Sequence, residues 1–171
     1  ADERMCGGFV WEWCDHAVRA GTTADGRPIH LYGGDHGERV HDGNFCVDGL
    51  VSPDRVPHPG LAELKNVQRP ARVVEYDQDE GLLTIHNDLD HTDLSQYARV
   101  SWEVRCDGVV VDRGDIDLTD PVPPHTSVML RCEPRIPHAG KCHLLVTHRL
   151  ARPEPLLPAG HVLGIDEVPL R

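Results

Sequence analysis

Phe9, Trp11 and Trp13 alternate with Val10, Glu12 and Cys14, and side chains two positions apart share one face of a strand. The pattern predicts a strand from Gly8 to Cys14 with an aromatic face. On periodicity alone, a short apolar run of this kind is a core strand that packs its aromatics and does nothing else. Asp15 to Ala20 either extends that strand or makes a helical turn. Thr22 to Pro28 reads as a turn, since Asp25-Gly26 favours positive φ and Pro28 has no amide to donate. Ile29 to Tyr32 is short and extended, and Gly33-Gly34-Asp35-His36-Gly37 opens backbone shapes closed to other residues. Irregular loop follows over 42–49. Pro59 then opens a helix running to about Gln68, with Leu61, Leu64 and Val67 on roughly one face.

After residue 70 the alternation becomes regular. Val100, Trp102, Val104 and Cys106 alternate with Ser101, Glu103 and Arg105, a strand with one wet face. Asp107-Gly108 is the strongest hairpin signal in the chain, and Val109 to Val111 returns from it. Further strands are expected at Ala71–Tyr76, Leu82–Asn87, Val128–Cys132, His143–Arg149 and Val162–Val168. The fold class is therefore mainly β, with an immunoglobulin-like antiparallel β-sandwich over residues 71–171. Residues 1–70 hold one strand, a long loop and one helix. That is too little apolar surface to offset the entropy of ordering the loop, so this part requires something larger to pack against.

Composition narrows the partners. The chain has 171 residues, 39% hydrophobic and 26% charged, in the range of one or two globular domains. A formal net charge of -11 argues against nucleic-acid backbones and anionic membranes. No apolar run approaches a membrane span, and no signal peptide opens the chain. The charged opening Ala1-Asp2-Glu3-Arg4 reads as the middle of a protein. Cys6, Cys14, Cys46, Cys106, Cys132 and Cys142 form no C-x-x-C pair, and they read as reduced thiols of a cytoplasmic protein. Cys46, in a polar loop, is the one whose position could make it reactive.

Chemistry concentrates in the first third. The chain has only two Phe, three Trp and three Tyr, and Phe9, Trp11 and Trp13 fall together. An indole wall beside carboxylates suits a sugar, whose C–H face stacks on the ring while acids take its hydroxyls. Glu12, Asp15, Asp35, Glu38, Asp42, Asp48 and Asp54 could supply a carboxylate pair for glycoside hydrolysis, although most read as solvated acids. Asp35, between glycines, is the least ordinary of them, and Glu12 and Asp15 are placed to orient neighbours. His16, His30, His36, His41 and His58 lack H-E-x-x-H or H-x-H spacing and read as ligands of loop carbonyls rather than zinc. Asn44-Phe45-Cys46-Val47-Asp48-Gly49 offers carbonyls and a carboxylate, the donors a hard cation takes. No nucleophile elbow supports a hydrolytic triad.

Gly7-Gly8-Phe9-Val10-Trp11-Glu12-Trp13-Cys14-Asp15, Tyr32-Gly33-Gly34-Asp35, Phe45-Cys46-Val47-Asp48-Gly49-Leu50-Val51 and Asp54-Arg55-Val56-Pro57-His58-Pro59, in this order, resemble the last part of the catalytic barrel of family 2 glycoside hydrolases, the large lacZ-type β-galactosidases. The resemblance implies that residues 1–70 are the C-terminal part of a (β/α)8 barrel, incomplete here. Gly7–Trp13 would be its eighth strand and Leu61–Gln68 its eighth helix, and the family places an immunoglobulin-like sandwich next. Trp11 matches the tryptophan that walls the galactose site. Phe45 matches the phenylalanine whose carbonyl binds a sodium ion, and Asp48 stands where many members carry an asparagine ligand to it. The family's third sodium ligand, its magnesium ligands and both catalytic glutamates belong to earlier parts of the family's chain. Glu3 and Glu12 do not occupy those motif positions. The resemblance implies a retaining β-galactosidase that acts on galactosides, lies in the cytoplasm and assembles as a homo-oligomer. It assigns this chain no catalytic residue and leaves it inactive alone, with other domains of the parent as its partners. Two other readings stand beside it: a non-catalytic sugar-binding module, and a purely structural sandwich.

Overall fold

The computed structural model describes Arg4 and residues 6–171; the opening Ala1, Asp2 and Glu3 lie outside the described residues. The chain forms two compact units, Ala1–Leu64 and Lys65–Arg171.

The first unit is a hairpin and loops. Strands β1 (Val18–Thr22) and β2 (Pro28–Leu31) pair antiparallel across the expected turn. The turn is held by Asp25, which accepts from Thr23 and from Arg27 Nε at 2.9 Å. A single 3-10 turn covers Gly43–Cys46, and helix α1 runs over Pro59–Val67 with proline in its first position. The strand expected over Gly8–Cys14 does not form. Only Cys14 makes a bridge, parallel to Val51, with Leu50 N–H donating to Glu12 O at 2.9 Å and Val51 N–H to Trp13 O at 3.0 Å. A parallel barrel strand is held by neighbours along its length, and the described partner of this one reaches only its last residues. Phe9, Trp11 and Trp13 are all exposed in this chain. The peptide bond between Trp11 and Glu12 is cis. Val51 is the one buried hydrophobic residue described in this unit.

The second unit is the antiparallel sandwich. One sheet has the order β3–β4–β7, made of β3 (Ala71–Asp77), β4 (Leu82–Asn87) and β7 (Ser127–Arg131). The other has the order β6–β5–β8–β9, made of β5 (Ala98–Cys106), β6 (Val109–Ile116), β8 (Cys142–Leu150) and β9 (Val162–Pro169). Alternate residues of each sheet, Leu83 and Ile85 on one and Val100, Val104, Leu144 and Val146 on the other, share one buried core. A one-turn helix α2 (Leu94–Tyr97), not expected from the sequence, precedes β5. Its N-cap is Asp93, whose Oδ1 accepts from Ser95 N at 2.9 Å and Val122 N at 3.1 Å. Those bonds outweigh burial and hold the Asp93 carboxyl below its ordinary range.

The cysteines require a correction. Cys106 and Cys142 stand directly opposite across β5 and β8, with Cα atoms 4.1 Å apart, and are joined by a disulfide. Their separation of 36 positions conceals the pairing in the sequence; only the β5–β8 register brings them together. The argument for a reducing compartment, which requires six free thiols, loses this pair. Cys6, Cys14, Cys46 and Cys132 are free. Burial pushes the Cys132 thiol up to about 11, so it behaves as a small apolar residue.

Candidate functional site

The site is built where residues 46–51 run beside residues 12–16. Besides the two bonds from Leu50 and Val51, Asp15 N–H donates to Val51 O at 3.0 Å and His16 N–H to Cys46 O at 2.8 Å. The approach requires glycine at 49, since a methyl there would lie 2.6 Å from the carbonyl carbon of Cys14. Asp15 clamps the junction: its Oδ1 accepts from Gly49 N at 2.8 Å, and its Oδ2 lies 2.9 Å from His58 Nε2. Gly49→Ala is therefore expected to open this pairing, at about 1–3 kcal/mol for the overpacking. Faster amide exchange at Leu50 and Val51 is the check, and unchanged exchange would show that the close approach is not what holds the loop.

Trp11 projects from this junction with 78% of its surface exposed, and Phe45, also exposed, stands in the 3-10 turn. Between them in sequence, Glu12 turns inward and is only 8% exposed. Its Oε2 meets His16 Nε2 at 2.8 Å, while its Oε1 is buried with no hydrogen-bond partner among the described residues. Burial raises the Glu12 carboxyl; His16 pulls it back, and the neighbouring Asp48 and Asp15 push it further up. Asp48 is exposed on the loop. The donors on this loop are oxygens, which fits a sodium-type cation. No cluster of three His, Cys, Asp or Glu side chains able to hold a metal occurs among the described residues.

Several of the other acids and histidines have local partners. Asp35 accepts from Tyr32 N at 2.9 Å. Glu38 accepts from Gly34 N at 2.6 Å and His36 N at 3.0 Å, and these bonds hold its carboxyl below the usual range. His16, His30 and His58 pair with carboxylates rather than with the expected carbonyls. Cys46 donates its thiol to Gly43 O at 3.3 Å. Cys14, Tyr32, His36 and Arg55 line an open cleft of about 710 Å³ that includes neither Trp11, Phe45 nor Asp48. Sequence reasoning placed Asp15 as an orienting residue but did not find its partners Gly49 and His58. Spacing carries no signal for a contact spanning more than thirty positions.

Two family models match the chain. "Glycosyl hydrolases family 2, TIM barrel domain" covers residues 1–73, and "Beta-galactosidase, domain 4" covers residues 83–171. A protein named beta-galactosidase from Actinobacillus pleuropneumoniae is 46% identical over 167 residues, covering 98% of this chain and 16% of that protein. One from Staphylococcus xylosus is 53% identical over 102 residues, covering 60% of this chain and 10% of its own length. One from Arthrobacter sp. (strain B7) is 38% identical over 174 residues, covering 98% and 17% respectively. The chain thus spans less than a fifth of the length of these curated relatives.

Proposed function

The chain belongs to the lacZ-type β-galactosidases of glycoside hydrolase family 2, and from that membership we propose that it supplies the sugar wall and a cation loop to a retaining β-galactosidase. The substrate class is a terminal, non-reducing β-D-galactose residue. Trp11 stacks on the apolar face of the galactose. Phe45, through its carbonyl, and Asp48, through its carboxylate, hold a sodium ion. When bound, that ion supplies a fixed positive charge for sugar hydroxyl oxygens. Asp15 and Gly49 set the distance between the tryptophan and the loop. The reaction proposed for the whole protein is double displacement by a pair of carboxyl groups. This chain contributes neither of them, nor ligands for a magnesium ion, and turns over no galactoside by itself. Further domains of the same protein complete the site, and homo-oligomeric assembly belongs to the same reading.

The single observation that carries this reading is the backbone tie between the segment bearing Trp11 and the loop bearing Phe45 and Asp48, made by Leu50 N–H to Glu12 O at 2.9 Å and Gly49 N–H to Asp15 Oδ1 at 2.8 Å. An aromatic ring with a few polar anchors near it suits the apolar face of a sugar. In the complete enzyme, Trp11→Ala is expected to lower kcat/KM for an aryl β-galactoside roughly 10- to 100-fold, the scale of losing one buried aromatic contact. Activity equal to wild type would remove Trp11 from the site. Turnover proportional to the amount of pure 171-residue chain would overturn its non-catalytic part.

A further inference from the structure

His58 touches both sides of the junction that carries Trp11. Its main-chain N–H donates to Leu50 O at 2.9 Å, on the loop side. Its imidazole Nε2 reaches Asp15 Oδ2 at 2.9 Å, on the side of the Trp11 segment. Its own carbonyl accepts from Leu61 N at 3.0 Å, at the start of helix α1. One residue thus fastens the helix, the loop and the Trp11 segment together. Beside it, Val51 and Pro57 form an antiparallel bridge that fixes the path of the His58 backbone.

The Asp15 carboxylate depends on that imidazole. Its side chain is only 10% exposed, and each oxygen has one partner among the described residues, Gly49 N–H on Oδ1 and His58 on Oδ2. An ionised carboxylate only accepts, so the proton of the His58 contact sits on Nε2. Without that N–H, Oδ2 loses its partner where most water is excluded. Nothing then fixes the rotation of the carboxylate that aims Oδ1 at Gly49. The two segments are closest at this point, since a methyl at position 49 would lie 2.3 Å from Asp15 N. The imidazole itself is 43% exposed, so the pair adds little to stability, and its effect is on position.

We propose that His58 is a positioning residue of the galactoside site, which acts through Asp15 to hold the Trp11 segment at its distance from the loop. The proposal rests on the reading of Trp11 as the sugar wall and adds the residue that keeps that wall in place. A displaced wall weakens a stacked sugar equally in the ground state and the transition state, so the loss falls on KM rather than on kcat.

The test is a double-mutant cycle in the complete enzyme with an aryl β-galactoside, with kcat and KM read separately and hydrogen exchange followed at the Gly49 amide. His58→Leu, which keeps the bulk and removes the N–H, is expected to raise KM about tenfold, leave kcat within about twofold and speed exchange at Gly49. His58→Gln, which can return an N–H to Asp15, should recover most of the loss. In a Trp11→Ala background, His58→Leu should cost less than about twofold, because the wall it places is gone. An equal loss in both backgrounds would overturn the proposal, since His58 would then act elsewhere. Wild-type KM in His58→Leu, beside a damaged Trp11→Ala enzyme, would overturn it and leave the sugar wall standing. A harmless Trp11→Ala would overturn the wall and the proposal with it. Loss of folding in both His58 variants, or a lower Tm with unchanged KM, would make the contact structural alone and overturn the proposal too.

Discussion

Asp166→Ala is expected to lower the unfolding free energy of the sandwich by about 3–5 kcal/mol, the usual cost of removing one partner from a buried charge pair. Asp166, on β9, is 8% exposed and accepts three hydrogen bonds. Arg69 donates to Oδ1 at 2.5 Å; His148 Nε2 and Val73 N approach Oδ2 at 2.8 and 3.1 Å. His148 is fully buried, and its Nδ1 has no partner among the described residues, so its proton belongs on Nε2, facing the carboxylate. Without Asp166, a mostly buried guanidinium, a buried imidazole N–H and a main-chain amide would all lose their acceptor. Urea denaturation measures the loss, with Asp166→Asn expected to fall between wild type and Asp166→Ala. Identical midpoints for all three would show that water replaces the carboxylate freely.

The same cluster sets an acid limb. Burial alone would raise the Asp166 carboxyl, but the bonds from His148, Arg69 and Val73 together bring it below the ordinary value. A carboxyl lowered in the folded state contributes stability that is complete above its unfolded pKa and is lost as pH falls through its folded pKa. Wild type is therefore expected to lose stability below about pH 4, and Asp166→Asn to lose less over the same interval.

Removal of the Cys106–Cys142 disulfide is expected to cost about 2–4 kcal/mol, the entropy of opening a loop of 36 residues in the unfolded chain. For a unit of this size that is a fall in Tm on the order of 10 °C or more. A melt with and without a thiol reductant measures it. Paired Cys106→Ala and Cys142→Ala substitution separates the cross-link from the effects of a free thiol. Melts that coincide would mean that the β5–β8 register alone keeps these positions together, and that the bond adds nothing.

The sandwich was largely legible because its strands carry their own period. β4 runs over Leu82–Asn87 as expected, and β3, β5, β7, β8 and β9 lie within a residue or two of the expected limits. β6 extends five residues further than Val111, through polar positions where it is an edge and alternation fades. α2 was missed because four residues give no helical period and its one signal, Asp93 ahead of Ser95, also suits a turn. The first unit was less legible for a different reason. Alternation at Phe9, Trp11 and Trp13 reports a preference for a strand, but a strand also requires a neighbour, which no local pattern contains. Trp11, Phe45 and Asp48 came from motif order. The bonds of Asp15 to Gly49 and His58, and the inward turn of Glu12, came only from the structure.

The order of strands also dictates how the sandwich acquires its shape. β3–β4, β5–β6 and β8–β9 are sequence neighbours that can pair as soon as each turn closes. The joins β4–β7 and β5–β8 instead bring together segments with another strand or more between them. Loop closure must come before those contacts give anything back, so these two joins set the pace, on the millisecond-to-second scale of sandwiches rather than the microseconds of helical bundles.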